Sequence, residues 1–150
     1  MPTITTRRAT GATVQRAWEA LAYRATLPSY VPEIAAVDLL WQDADRQGSR
    51  WRVRLGEALL TWQEEAVVDH AARRIDFSQT HGDLAALSGH WLVAPEGAGS
   101  VVELRLDFDA GIPLLDAMVH PIAEGALRDF TEVVLDRIAE RVAVPAASAR

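Results

Sequence analysis

Cysteine is absent from the 150 residues, which excludes disulfides, cysteine-ligated zinc and a thiol nucleophile and is compatible with a reducing compartment. No run approaches the roughly 18 consecutive apolar residues of a membrane-spanning helix. The opening Met1-Pro2-Thr3-Ile4-Thr5-Thr6-Arg7-Arg8 lacks the apolar core of a signal peptide. The expectation is a cytoplasmic protein with no membrane span. Positive charge is scarce, 15 basic against 21 acidic residues for a net charge of −6, which argues against nucleic acid or an anionic membrane as partner. His70, His81, His90 and His120 are scattered and form no His-Glu-x-x-His or related pattern, so neither a metal nor a cofactor is expected. Ser88 lacks a nucleophile-elbow setting, and Gly97 and Gly99 belong to a hairpin rather than a phosphate loop.

The chain is long enough to bury a core without staples, and no internal repeat or second domain is visible. One domain is expected over residues 1–143, followed by a tail, 144–150, whose small residues carry no period and are expected to be disordered. Thr3 to Thr10 reads as a strand. Thr13 can cap a helix on which Val14, Ala17, Trp18 and Leu21 share one face. Arg16, three places after the cap, leaves the capping box incomplete. Pro28 and Pro32 confine Leu27-Pro28-Ser29-Tyr30-Val31-Pro32 to a turn or a very short helix.

From Ile34 to about Phe108 short strands alternate with polar turns. Ala35 to Gln42 leads to a turn over Asp43 to Gly48. Then Arg50, Arg52 and Arg54 fall on one face of a strand and Trp51, Val53 and Leu55 on the other. Leu60, Trp62, Glu64, Ala66 and Val68 share a face of the next strand, Ile75, Phe77 and Gln79 of the following one, and Leu87, Gly89, Trp91 and Val93 of the one after. The last strand sets Val102, Leu104, Leu106 and Phe108 against Glu103, Arg105, Asp107 and Asp109, the pattern of a half-buried antiparallel sheet. A helix is expected from near Pro113, with Leu115, Val119, Ile122, Leu127, Phe130, Val134 and Ile138 along one stripe. Pro121 reads as a kink or as the true first turn.

This order of elements resembles the helix-grip fold of the START-like or Bet v 1-like (SRPBCC) superfamily over almost the whole chain. Leu60-Thr61-Trp62, Gly89-His90-Trp91 and Phe108-Asp109 followed by Gly111-Ile112-Pro113 are similar to motifs of the polyketide cyclase/dehydrase and aromatase/cyclase type, related to the coenzyme Q-binding group. The resemblance implies an α+β fold: an antiparallel, six- to seven-stranded curved sheet wrapped around a long C-terminal helix, with two short N-terminal helices. It also implies a cavity between sheet and helix for a hydrophobic molecule. In the aromatase/cyclases that molecule is a poly-β-ketone delivered by an acyl carrier protein. Carried over position by position, the pocket is Leu27, Val31, Leu60, Trp62, Glu64, Leu87, Trp91, Leu104 and Phe108. Ala66 stands where the tetracenomycin type carries an arginine.

Trp51 and Phe77, on inward strand faces, and Val119, on the helix stripe, complete the candidate lining. Trp51 and Trp18 also read as packing residues. Glu64 is the candidate general base or acid, because desolvation among aromatic side chains raises a carboxyl pKa. The alternative is a structural ion pair with Arg52 or Arg54. Gln79 could hydrogen-bond a ligand carbonyl, and Tyr30 sits in a loop near the expected entrance. His81 reads as a turn residue and His90 as outward-facing. The expected function is a polyketide cyclase/aromatase with Glu64, Gln79 and Tyr30 as catalytic candidates. The alternative is a non-catalytic binder of a lipid, quinone or aromatic natural product, and a regulatory or toxin-like interaction protein is a weaker third. The partners implied are a hydrophobic or aromatic small molecule and an acyl carrier protein, with the chain a monomer or homodimer.

Overall fold

The structure, a computed structural model, describes residues 2–111 and 116–143, with side chains at 2–111 and 123–143. Strand β1 (Thr3–Thr10) leads into helix α1 (Val14–Ala22) and a 3₁₀ segment, Arg24–Ser29. Strands β2 (Ile34–Asp43), β3 (Arg46–Leu55), β4 (Ala58–Asp69), β5 (Arg74–Gly82), β6 (Ala86–Glu96) and β7 (Gly99–Asp109) follow, and helix α2 (Asp116–Ala143) closes the chain. The strands form one antiparallel sheet in the order β1-β7-β6-β5-β4-β3-β2. Every neighbour from β2 to β7 is a hairpin partner. Only the passage from β1 to β2 crosses from one edge to the other, and α1 and the 3₁₀ segment make that crossing. Of the two short N-terminal helices expected, the second is therefore the 3₁₀ segment, with Pro28 inside it.

Alternation along the strands decides which side is covered. In β3, Trp51 and Val53 are buried and Arg50, Arg52 and Arg54 exposed; in β4, Trp62, Glu64, Ala66 and Val68 are buried. The concave face of the sheet is thus the core side, and α2 lies on it with Leu127, Phe130, Val134, Leu135, Ile138 and Val142 buried. A buried hydroxyl pair, Thr6 Oγ1 with Thr131 Oγ1 at 2.8 Å, ties α2 to β1. Thr13 caps α1 by accepting from Arg16 N at 3.2 Å, and Trp18 on its buried face donates Nε1–H to His70 Nδ1 at 3.2 Å.

Several boundaries differ from the sequence expectation. The turn expected over Asp43 to Gly48 contracts to Ala44-Asp45, because Ala44 takes a left-handed conformation (φ 54°) and lets Asp43 pair with Arg46. β5 runs through Thr80 and His81 to Gly82 instead of turning there. His90 faces away from Trp91 yet is buried, since Glu103 accepts at 2.6 Å from its Nε2 side and Arg74 covers Nδ1. Pro121 falls inside α2. Pro113, Leu115 and the tail 144–150 lie outside the described residues, as do the side chains of Val119, His120 and Ile122. β2 is an edge strand that exposes Leu39, Leu40 and Trp41, the last folded over Gly48.

Gly89 marks the tightest point of the sheet. A Cβ there would overlap the Arg105 carbonyl oxygen and lie 3.2 Å from Phe77 Cζ, so β6 and β7 pack closely only because that position has no side chain. Gly89→Ala is expected to cost about 1–3 kcal/mol of stability, the range for overpacking and backbone displacement in a core. Urea unfolding measures it; a loss within about 0.5 kcal/mol, the size of a neutral surface change, would show that the two strands part there freely.

Candidate functional site

Curvature brings together residues that a flat sheet would hold apart. Trp51 on β3 and Trp62 on β4 are direct register partners, and their rings stack 5.6 Å apart at 7°. Trp91 sits on β6, three strands from β3, a separation of about 14 Å in an uncurled sheet. Its ring nonetheless lies 6.3 Å from that of Trp51. The three indoles form one inner layer, and between them and α2 is a cavity of about 20 Å³. Its described walls are Trp51, Val53, Leu60, Trp62, Phe77, Leu87, Trp91, Leu104 and Leu106 from the strands, with Leu127 and Phe130 from α2. That volume holds about one water molecule.

Glu64 is the only ionisable group among these described walls. It is 3% exposed and sits two residues beyond Trp62 on the same face of β4. Trp62 Nε1 donates to its Oε1 at 2.8 Å, and Arg24 Nη1 donates to its Oε2 at 3.3 Å. Arg24, equally buried, also donates Nη2 to Gln47 Oε1 at 3.2 Å and lies with its guanidinium 5.5 Å from the Trp51 ring centre. Burial pushes the Glu64 carboxyl above the usual glutamate range, and the charge of Arg24 with the two hydrogen bonds only partly offsets this. Burial likewise lowers the Arg24 pKa against the opposing pull of Glu64. Each carboxylate oxygen keeps a free lone pair after these bonds, so the group can still accept or deliver a proton on the cavity side.

The structure brings Trp51, Leu60, Trp62, Glu64, Phe77, Leu87, Trp91 and Leu104 around one cavity. Leu27, Val31 and Phe108 are fully buried in the surrounding core and are not among its walls. The Val119 side chain lies outside the described residues. Gln79 stands opposite Glu64 in the β4–β5 register but turns its Nε2 to the Leu84 carbonyl at 2.9 Å. Tyr30 is elsewhere: it lines a shallow groove with Pro32, Arg137, Glu140 and Arg141. The Arg141 guanidinium lies 5.1 Å from its ring, and its hydroxyl is buried without a hydrogen-bond partner among the described residues. Burial raises the Tyr30 pKa, with Arg141 pulling the other way.

Glu64 pairs with neither Arg52 nor Arg54, which point out from the convex face. Its partner is Arg24, the residue that sequence reasoning missed. A signal was present. Trp18, Leu21, Arg24 and Leu27 recur every three residues and all are buried; a 3₁₀ turn has three residues per turn, so it continues the buried stripe of α1 through Arg24. Among the described residues no group of three or more His, Asp or Glu is arranged to hold a metal ion, and no helix is long and apolar enough to cross a membrane.

A family model described as polyketide cyclase / dehydrase and lipid transport matches residues 10–134. Among solved structures, a protein from Thermus thermophilus is 25% identical, covering 94% of this chain and 97% of that one with a TM-score of 0.87. The Zhui aromatase/cyclase from a Streptomyces species is 22% identical over 97% of both chains, with a TM-score of 0.78. A START superfamily protein from Mycobacterium smegmatis is 16% identical, covering 92% of this chain and 97% of that one at a TM-score of 0.76. The last two share the fold. No curated protein sequence matches the chain significantly.

Removing one member of a buried ion pair strands the other. Arg24→Met is expected to lower stability at neutral pH by about 3–5 kcal/mol, and Arg24→Met with Glu64→Gln to regain most of it; equal losses in denaturant unfolding would assign the cost to packing instead. A second expectation concerns pH. The folded carboxyl keeps its proton to a higher pH than the unfolded one, so the folded chain binds more protons in that window. Stability therefore falls as pH rises from the ordinary glutamate range through the raised value of Glu64. Glu64→Gln should remove that part of the slope, and an unchanged slope would show that Glu64 titrates normally.

Proposed function

The chain belongs to the polyketide cyclase / dehydrase and lipid transport family, and from that premise we propose that it is a polyketide cyclase/aromatase. In this reading a poly-β-ketone folds against the tryptophan layer and undergoes aldol-type cyclisation and dehydration. The observation that carries the reading is Glu64: one carboxyl with raised proton affinity, held by Trp62 and Arg24, at the wall of an otherwise apolar aromatic cavity.

The chemistry balances without a cofactor. Glu64 takes a proton from a carbon flanked by two carbonyls. The resulting enolate carbon attacks a second carbonyl; a C–C bond forms, the π electrons move to oxygen, and that oxygen receives a proton. Loss of a further α-hydrogen together with the new hydroxyl, as water, gives the conjugated ring. General acid–base assistance of this kind contributes about 10²–10⁴-fold, and holding a flexible chain in one folded geometry can contribute about 7–11 kcal/mol in well-oriented cases. The resemblance carries an arginine at the position of Ala66; here Arg24, from a different element, holds Glu64 without lining the cavity itself. A cavity of about 20 Å³ admits such a substrate only if the wall side chains, Leu60, Leu127 and Phe130 among them, move outward. Delivery by an acyl carrier protein belongs to this reading.

The same closed cavity, with both Glu64 oxygens engaged, supports a second reading: a carrier of a quinone, lipid or aromatic natural product in which the ion pair is structural. Tryptophan fluorescence separates ligand classes. Saturable quenching by polycyclic phenols alone supports the cyclase, and preferential binding of long-chain quinones or fatty acids supports the carrier. Glu64→Gln is expected to keep ligand affinity while lowering turnover of a poly-β-ketone about 10²-fold or more; equal turnover would remove Glu64 from the reaction. Trp62→Ala should weaken binding of a flat ligand by about 0.5–1.5 kcal/mol beyond lost area, and unchanged affinity would make that ring core.

A further inference from the structure

A second recess lies on the other side of Arg24. Between the 3₁₀ segment and strands β2 and β3 is a groove of about 210 Å³, roughly ten times the inner cavity, walled by Tyr23, Val37 and Leu39 and with Thr26, Gln42, Gln47 and Ser49 as its polar members. An apolar space of about 150 Å³ suffices for a benzene ring. Arg24 lines this groove, and no acidic residue does among the described residues.

The hydrogen bonding of Arg24 is lopsided. Nη1 holds Glu64 and Nη2 holds Gln47, while Nε is buried without a partner among the described residues. A guanidinium takes a carboxylate through two parallel N–H···O bonds, and the Nε–Nη2 edge is one of its two forks. Here that edge carries a single neutral acceptor, the exchangeable side chain of Gln47. A buried donor left unmatched is costly, so this position favours a ligand that completes it by displacing Gln47 from Nη2 and opening the cover over Nε. Glu64 lies on the Nη1 side, so Arg24 would stand between the two carboxylates. Leu39 and Tyr23, both largely exposed, present apolar surface at the mouth.

We propose that this groove is a binding site for a planar aromatic carboxylate, its oxygens on the Nε–Nη2 edge of Arg24 and its ring between Tyr23, Val37 and Leu39. The groove and the tryptophan cavity share no wall residue and meet through Arg24, which binds Glu64 from the groove side; binding in the groove is read without any turnover in the cavity. Benzoate and benzamide, equal in shape and different in charge, are the probes. In a ¹H–¹⁵N titration of the full chain, benzoate should saturate shifts at Arg24 Nε–H and at the amides of Tyr23, Leu39 and Gln47, and benzamide should bind about tenfold or more weakly, having lost the charge-assisted fork. Leu39→Glu, on an exposed side chain, should weaken benzoate severalfold while leaving the Trp62 indole N–H resonance of the free protein in place. Absence of saturable binding, equal affinity for the two probes, indifference to Leu39→Glu, or shifts confined to Leu60, Trp62 and Trp91 would each overturn the proposal.

Discussion

A carboxylate on the concave face of a sheet, among indole rings, obliges the chain to bring a cation to it. The crossing from β1 to β2 does so. α1 and the 3₁₀ segment carry the backbone from one sheet edge to the other, and on the way Arg24 reaches inward to Glu64, Gln47 and the face of Trp51. Three elements meet at that one guanidinium: the 3₁₀ segment that carries it, β3 through Gln47 and Trp51, and β4 through Glu64. Desolvating two charges opposes folding, and the pair repays it only with good geometry and filled lone pairs. This leaves the ion pair a poor source of stability and a strong determinant of where the 3₁₀ segment must sit.

The alternation of β3, β4, β6 and β7 made the sheet legible, because burial on one face imposes a two-residue period that no turn or tertiary contact has to confirm. For the same reason the sequence pattern alone puts Trp51, Trp62, Glu64 and Trp91 on one side. Arg24 was not legible in that way. Its partner is 40 residues distant, and the alternation of β3 offered nearer arginines that face outward. The contraction of the Ala44-Asp45 turn also escaped, since alanine gives no hint of a left-handed conformation. Tyr30 was assigned to the entrance from its loop position, but the backbone after the 3₁₀ segment directs it toward Arg141 on the last turns of α2. The size of the cavity is invisible in sequence, because it is the residue of packing among eleven apolar side chains and Glu64 rather than a property of any one of them.

The family unites cyclases with lipid carriers, and fold alone does not choose between them. In this chain a nearly filled interior is paired with a titratable group kept there. A carboxyl of raised proton affinity suits proton transfer, and the same buried pair would fix the 3₁₀ segment in a carrier. The outward-facing arginines of β3, with the Arg74, Asp76, His90 and Glu103 group on the convex side, keep the charges of those strands off the concave face, and those of α2 lie in exposed pairs. The inner field is therefore set almost entirely by Glu64 and Arg24.

The indole layer also has an optical consequence. Trp51 and Trp62 are stacked nearly parallel, with Trp91 close to the same orientation, so their electronic transitions lie near enough to couple. Trp18 and Trp41, on α1 and on the β2 edge, stand outside this layer. The near-ultraviolet circular dichroism of this protein should accordingly act as a gauge of sheet curvature: it reports whether β6 still curls over β3, with no label attached.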